Sequence, residues 1–203
     1  LYLPPGGAPA GLRAADQPFD MVLLDVIGRP EALARLRAAG AVGVTTDVLA
    51  VHLGHEVPPG AELHRRLAAA GARAEPDGAT LPVGDYQLVP DPPRRTLVLG
   101  GARSGKSAEA ERRLAAFPDV VYAATGGRLP DDPEWTARVA AHRERRPPGW
   151  STAETRDLVP LLADEGGPPL LIDCLTLWLA HAMEEAGCWD GAQPGGPAGE
   201  ADQ

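Results

Sequence analysis

The chain carries nineteen basic residues, and its one lysine, Lys106, lies in a glycine-rich segment. The segment Gly100–Ser107 fits the pattern G-x-x-x-x-G-K-[ST] at every required position. In such a loop, backbone N–H groups surround the phosphates and the compact lysine ammonium reaches the terminal ones, a task for which a broad guanidinium is poorly suited. The segment predicts nucleoside triphosphate binding by Gly100, Gly101, Ala102, Arg103, Ser104, Gly105, Lys106 and Ser107.

Two oxygen-bearing side chains could hold Mg²⁺ beside that nucleotide. Ser107 follows the lysine, where its hydroxyl is expected to bind the metal. Asp173 directly follows the apolar run 170–172. In nucleotide-binding sheets an acid at this position binds Mg²⁺ directly or through water. An alternative role for Asp173 is capping the N-terminus of the next helix, and the two roles are compatible.

A third candidate for chemistry is His142, which lies in an arginine-rich helical pattern. Arg138, His142 and either Arg145 or Arg146 share one helix face. Nearby positive charge disfavours the imidazolium, so this histidine is expected to stay neutral and nucleophilic. The alternative is an ordinary surface histidine, and the spacing alone favours that alternative.

The elements expected to position these residues alternate between strands and helices. After residue 95, we predict strands over 95–99, 119–124 and 169–172, and helices over 106–116, 132–146, 157–164 and 175–186. Before residue 90, we predict strands over 21–26, 47–52 and 81–89, and helices over 29–39 and 60–70. Alternation of this kind implies a parallel sheet with right-handed crossovers.

The predicted fold class is therefore α/β: a parallel nucleotide-binding sheet preceded by a smaller αβ segment. We expect the αβ segment over 1–90, a proline-rich linker over 91–94, a nucleotide-binding domain over 95–191 and a disordered tail over 192–203. Because such sheets normally have about five strands, we expect this domain to be incomplete at its C-terminus.

Composition narrows the range of functions. The net charge of −9 argues against general binding of nucleic acid or anionic membranes. Two cysteines without metal-site spacing are typical of a reducing cytoplasm, which is the expected location. No apolar run reaches the roughly 18 residues that a membrane-spanning helix needs.

From about Arg95 to Trp189 the chain resembles the bifunctional adenosylcobinamide kinase / adenosylcobinamide-phosphate guanylyltransferase family of cobalamin biosynthesis. The loop sequence Gly-Gly-Ala-Arg-Ser-Gly-Lys-Ser is much more specific to this family than the general phosphate-loop pattern is. The spacing His-x-x-x-Arg-Pro-x-x-Trp-x-Thr-x-Glu, which begins at His142, matches as well. The resemblance also rests on the segments Val121-Tyr122-Ala123-Ala124-Thr125 and Leu171-Ile172-Asp173-Cys174-Leu175.

The resemblance implies a two-step enzyme that uses ATP or GTP with Mg²⁺. It first phosphorylates the aminopropanol hydroxyl of adenosylcobinamide. His142 then attacks the α-phosphate of GTP, pyrophosphate leaves, and the GMP passes to the cobinamide phosphate. The resemblance further implies a homo-oligomer, and it assigns nucleotide contacts to Thr125, Arg143, Glu144, Arg145, Arg146, Glu154 and Asp173.

The first segment resembles the C-terminal half of a metallo-β-lactamase-type hydrolase, with Asp25 and His55 as weak metal candidates. The histidine cluster that such enzymes need is not present, and a stable catalytic zinc site requires at least three protein ligands. Three alternatives therefore stay open beside the two-step enzyme: a plain phosphate-loop small-molecule kinase, a fragment that binds nucleotide without turnover, and a metal-dependent hydrolase.

Overall fold

A computed structural model of the chain describes residues 1–7, 17–87, 95–127, 137, 139–140, 143–144, 146–164 and 166–188. The described residues form a mixed α/β structure with two separate parallel sheets. The predicted α/β class is therefore confirmed at this level. Most of the predicted helix 132–146 and the predicted tail 192–203 lie outside the described residues.

The first region, residues 17–87, contains a two-stranded parallel sheet and two helices. Strand β1 pairs in parallel with β2, in a register that runs from Met21 opposite Asp47 to Leu24 opposite Ala50. Both helices end one or two residues before a glycine with positive φ, which allows the chain to reverse. The elements are β1 (Met21–Leu24), α1 (Pro30–Ala38), β2 (Asp47–Ala50) and α2 (Ala61–Ala69).

The helices of this region cover its sheet with aliphatic side chains. Leu33 and Leu36 of α1 and Leu67 of α2 are fully buried, in one cluster with Val22 and Val48 of the strands. The buried Asp47 side chain forms a two-bond ion pair with Arg73 at 2.9 and 2.7 Å. Because each buried charge has its partner, the polar pair fits inside an otherwise apolar core.

The second region, residues 95–188, contains a three-stranded sheet with β3 in its centre. Strand β3 pairs in parallel with β4 on one side and β5 on the other, and Ala124 is the register partner of both Glu154 and Asp173. The carboxyl ends of all three strands therefore meet at one edge. The elements are α3 (Lys106–Leu114), β3 (Val121–Ala124), β4 (Ser151–Glu154), α4 (Val159–Ala163), β5 (Leu170–Asp173) and α5 (Leu175–Glu185).

Two predicted strands are not observed, and one observed strand was not predicted. Residues 95–99 form no strand, and Leu97 and Leu99 are 66% and 80% exposed. An apolar pattern indicates a strand but does not supply the hydrogen-bonding partner that a strand needs. The described part of the predicted strand 81–89 is irregular for the same reason. Strand β4 was missed because its sequence, Ser-Thr-Ala-Glu, lacks the apolar residues that mark a strand.

Polar contacts join the first region to the helix that follows the phosphate loop. The Arg37 guanidinium donates to the backbone oxygens of Ala116 and Ala70 at 2.8 and 2.6 Å, and it lies 5.1 Å from the Phe117 ring centroid. Burial lowers the pKa of Arg37 from its usual value. Two ion pairs link α2 to α3: Arg66 with Glu109, and Arg113 with Glu62.

No helix within the described ranges is long and apolar enough to cross a membrane.

Candidate functional site

The glycine loop adopts a tight conformation that depends on its small residues. A Cβ atom on Gly100 would collide with the Ser104 hydroxyl oxygen, so a larger residue at that position would force the Ser104 side chain to move. Gly105 has φ +85° and Arg103 has φ +56°, both in the left-handed region. These turns let the backbone curve closely enough for its N–H groups to converge on an anion.

Helix α3 begins at Lys106, directly after the loop. The N–H group of Glu109 already donates to Gly105 at 2.9 Å, so the earlier N–H groups have no helical acceptor and lie at the positive end of the helix dipole. The Lys106 ammonium donates to the Gly101 carbonyl at 3.2 Å and thus lies over the loop. Ser107 follows in the first turn. This combination of ammonium, hydroxyl and helix N-terminus is suited to a phosphate chain.

At the edge where the strands end, Asp173 is held by a tyrosine. The Tyr122 hydroxyl donates to Asp173 Oδ2 at 2.5 Å. The Arg146 guanidinium lies 3.3 Å from the centroid of the Tyr122 ring, and its Nη1 donates to the Thr152 hydroxyl at 3.0 Å. Burial and the hydrogen bond to Asp173 raise the pKa of Tyr122 far above its usual value, so the phenol stays a donor.

The alternative capping role of Asp173 is not observed. Cys174 is the N-cap of α5, and its sulfur accepts from the Leu177 N–H. The fully buried Thr125 hydroxyl donates to the Cys174 carbonyl at 2.8 Å and accepts from the Cys174 N–H at 3.0 Å. The Thr125 side chain thus ties the end of β3 to the end of β5 and fixes the backbone beside Asp173.

An ion pair on the β4 side joins two further candidates. Arg143 Nη2 lies 2.7 Å from Glu154 Oε1, and the two side chains are 55% and 35% exposed. Glu144 is exposed beside them. Because Glu154 ends β4 as Asp173 ends β5, the structure brings both predicted acids to the same sheet edge as Arg143 and Arg146. His142 and Arg145 lie outside the described residues, so their roles stay predictions.

The donors beside the loop fit Mg²⁺ by their chemistry. A serine hydroxyl and a carboxylate are hard oxygen ligands, and α3 packs against β5, the strand that ends in Asp173. Among the described residues, no three His, Cys, Asp or Glu side chains form a group that could hold a metal ion. In nucleotide sites Mg²⁺ usually keeps several waters and binds one or two protein oxygens together with substrate phosphates.

The weak metal candidates of the first region have other surroundings. Asp25 Oδ1 accepts from the Gly28 N–H at 2.7 Å, and a side chain on Gly28 would collide with this carboxylate. The residue thus closes the turn after β1. His55 is exposed, and the nearby His52 contacts the Tyr2 hydroxyl at 2.7 Å.

Sequence reasoning missed Tyr122 and Thr152 as parts of this site. Both were quoted within motifs, but neither was given a role. The available signal was the polar hydroxyl of Tyr122 in the middle of a buried strand, since a buried tyrosine hydroxyl usually finds a partner. Which partner it finds depends on strand register, which the sequence does not show.

Comparison with known proteins finds a family that is similar to the part of the chain containing this site. Residues 96–194 match the family described as cobinamide kinase / cobinamide phosphate guanyltransferase, CobU. The match covers the phosphate loop, all three strands of the second sheet and Asp173. The resemblance noted from the sequence is therefore supported over this range. The likeness of residues 1–90 to a metallo-β-lactamase half is not supported by it.

Three curated relatives have similar extents of match. The bifunctional adenosylcobalamin biosynthesis protein CobP of Pseudomonas aeruginosa is 45% identical over 94 residues, covering 44% of this chain and 53% of that protein. The proteins named CobU of Salmonella typhimurium and Escherichia coli are 40% and 37% identical over 90 and 94 residues, covering 49% and 51% of their lengths. This chain thus spans about half the length of the curated relatives it matches. No solved structure matches the chain.

Proposed function

We propose that this chain is a cobalamin biosynthesis enzyme that phosphorylates adenosylcobinamide and then transfers GMP to the product. The observation that supports the proposal most is the Gly100–Ser107 loop at the start of α3, packed against the strand that ends in Asp173, within a match to the family over 96–194. We extend to this chain the two activities that the name of the family states.

In the kinase step, the loop N–H groups and Lys106 hold the β- and γ-phosphates of ATP or GTP. Their positive charge stabilises the transition state as the γ-phosphoryl moves to the aminopropanol hydroxyl, and nucleoside diphosphate leaves. Ser107 and Asp173 would hold Mg²⁺, which neutralises charge on the phosphate oxygens when bound. Most of the catalysis is then positioning and electrostatic stabilisation by groups already fixed in the fold.

In the guanylyl step, we assign the nucleophile to His142. A neutral imidazole nitrogen forms a bond to the α-phosphorus of GTP, and the bond to the pyrophosphate oxygen breaks. The GMP then passes from His142 to an oxygen of the cobinamide phosphate. Splitting one transfer into two lowers each barrier. Arg143, Arg145 and Arg146 would bind the phosphates, Glu144 and Glu154 would orient the guanosine, and Thr125 would fix the strand end.

The arrangement of the whole protein is part of the proposal. We assign nucleotide chemistry to residues 95–191, treat 91–94 as a linker and 192–203 as a tail, and give residues 1–90 a supporting role through α2 and Arg37. We propose that the protein works in the cytoplasm and that it forms a homo-oligomer. We propose no hydrolase function for Asp25 and His55, because the described residues around them bring together no third ligand.

Covalent labelling tests the guanylyl step. The protein is incubated with Mg²⁺ and GTP radiolabelled at the α-phosphate, then denatured and separated by electrophoresis. We expect label that is labile in acid and stable in alkali, as for a phosphoramidate, and that is lost in His142→Ala but kept in the control His64→Ala. Label that persists in His142→Ala would show that another residue is the nucleophile.

Kinase activity separates the remaining alternatives. His142→Ala should still phosphorylate adenosylcobinamide, because the proposed kinase step uses the phosphate loop and Asp173 but not His142. A wild-type protein that phosphorylates without becoming labelled would be a plain small-molecule kinase. Nucleotide binding with neither activity would mean that this chain only binds nucleotide.

A further inference from the structure

A part-buried hydrogen bond in the second region joins the side chains of Tyr122 and Asp173. Tyr122 is 3% exposed, in the second position of the central strand β3. It is the register partner of Leu171, and side chains two residues apart on a strand share a face. Asp173 is therefore the diagonal neighbour of Tyr122, at a separation that an aromatic side chain can span.

A cation lies against the same ring. The Arg146 guanidinium is 3.3 Å from the ring centroid and is anchored by the Thr152 hydroxyl. Thr152 is the register partner of Tyr122 on β4. The tyrosine thus lies between the strand that carries the arginine's anchor and the strand that carries the acid. If the Arg146 guanidinium reached the Asp173 carboxylate directly, the two would form a strong forked ion pair.

We propose that Tyr122 is a positioning residue, which holds Asp173 Oδ2 and so keeps this carboxylate available to Mg²⁺–nucleotide instead of to Arg146. The inference rests on the proposed function, since it assumes that Asp173 holds the metal. One carboxylate oxygen accepts from the phenol, and the second can face the metal. The ring meanwhile holds Arg146 over its face by a cation–π contact.

The direct test replaces only the hydroxyl. Binding of a non-hydrolysable GTP analogue is measured by calorimetry over a series of Mg²⁺ concentrations and in chelator. In Tyr122→Phe, we expect the Mg²⁺ concentration for half-maximal binding to rise about tenfold, the usual effect of removing a group that orients a metal ligand. Affinity in chelator should stay within about twofold of wild type, because the loop contacts are unchanged. Tyr86→Phe, at an exposed tyrosine of the first region, is the control.

A double-mutant cycle separates positioning from packing. Asp173→Asn should also raise the Mg²⁺ midpoint, and adding Tyr122→Phe to it should cause no further rise, because the acid to be positioned is gone. A Tyr122→Phe protein with a wild-type midpoint and only a lower melting temperature would overturn the inference. If Tyr122→Phe does not fold, an unchanged midpoint in Asp173→Asn would overturn it equally.

The same titration distinguishes failure of the inference from failure of the proposed function. A wild-type protein that binds no nucleotide at any Mg²⁺ concentration would contradict both. Suppose instead that wild type binds nucleotide only with Mg²⁺, that Lys106→Ala abolishes this binding, and that Tyr122→Phe has the Mg²⁺ midpoint of wild type. That result would contradict the role of Tyr122 and leave the proposed function intact.

Discussion

Strand β2 of the first region is buried along its whole length, whereas β4 of the second region is mostly exposed. The first region uses its sheet to build a core, and its buried acid, Asp47, is neutralised internally by Arg73. In the second region the strands end in Glu154 and Asp173, acids at least partly open to solvent. The comparison teaches that one sheet is organised for stability and the other for presenting polar groups at its carboxyl edge.

The glycines of the two regions show the same contrast. In the first region, Gly40 and Gly71 follow helix ends, where a positive φ reverses the chain. In the second region, Gly105 lies before a helix, where its positive φ turns the loop toward a helix N-terminus. The same freedom of the backbone ends helices in the first region and shapes the proposed anion-binding loop in the second.

The largest expected effect in a test of this comparison comes from Lys106→Ala. Both proposed activities should fall at least about a hundredfold, because a charged hydrogen-bonding group at the transferring phosphate contributes about 3 kcal/mol or more. Steady-state kinetics and nucleotide calorimetry measure the loss. Arg112→Ala, on the same helix but away from the loop, should keep both. A Lys106→Ala enzyme of normal activity would show that the loop is not the phosphate site.

The next effect separates stability from chemistry. Leu36→Ala removes a fully buried side chain from the first core, and we expect a loss of about 2–5 kcal/mol in the free energy of unfolding. Leu99→Ala, at an exposed leucine beside the loop, should change it by less than about 0.5 kcal/mol. Denaturant titration measures both. A large loss for Leu99→Ala would mean that residues 95–99 are packed in a core.

The smallest expected effect concerns the ion pairs between α2 and α3. The hydrogen bond from Arg66 holds the pKa of Glu62 below its usual value, although burial opposes it. Burial raises the pKa of Glu109, but hydrogen bonds from Arg112 and Arg113 outweigh it, so this pKa is lowered as well. Carboxylates with depressed pKa values stabilise the folded state fully above their unfolded pKa, about 4.3, and lose that contribution as the pH falls further.

We therefore expect the double variant Glu62→Gln/Glu109→Gln to be about 1 kcal/mol less stable than wild type at pH 7. The difference should shrink toward zero as the pH falls from about 4.3 through the folded pKa values. Denaturation at a series of pH values measures it, with the exposed Glu31→Gln as control. If the stability difference between the variant and wild type were equally large at acid pH and at pH 7, charge would not be its cause.

Local spacing in the sequence was enough to single out the candidate loop and Asp173, whose roles stay predictions. The loop and the start of α3 are specified by eight consecutive residues, and Asp173 by the apolar run before it. The helices whose bounds the structure gives were predicted to within a few residues, since apolar periodicity and terminal glycines are local signals. The likeness to the cobinamide kinase family was likewise carried by short segments.

Strand pairing could not be predicted in the same way. The contact between Tyr122 and Asp173 depends on the register of strands 51 residues apart, and the anchor of Arg146 depends on β4, whose sequence looks like a loop. Residues 95–99 show the converse, because an apolar pattern is present without a partner strand. Pairing is set by tertiary packing, which overrides local preference for a strand.

The central claim is that nucleotide chemistry belongs to the second region, and hydrogen exchange measured by mass spectrometry tests it most directly. Exchange is followed with and without Mg²⁺ and a non-hydrolysable GTP analogue. The account predicts slower exchange at residues 100–107, whose N–H groups would bond to phosphate, and no change in β1 and β2. Protection confined to the first region, or unchanged exchange in the loop at saturating nucleotide, would contradict it.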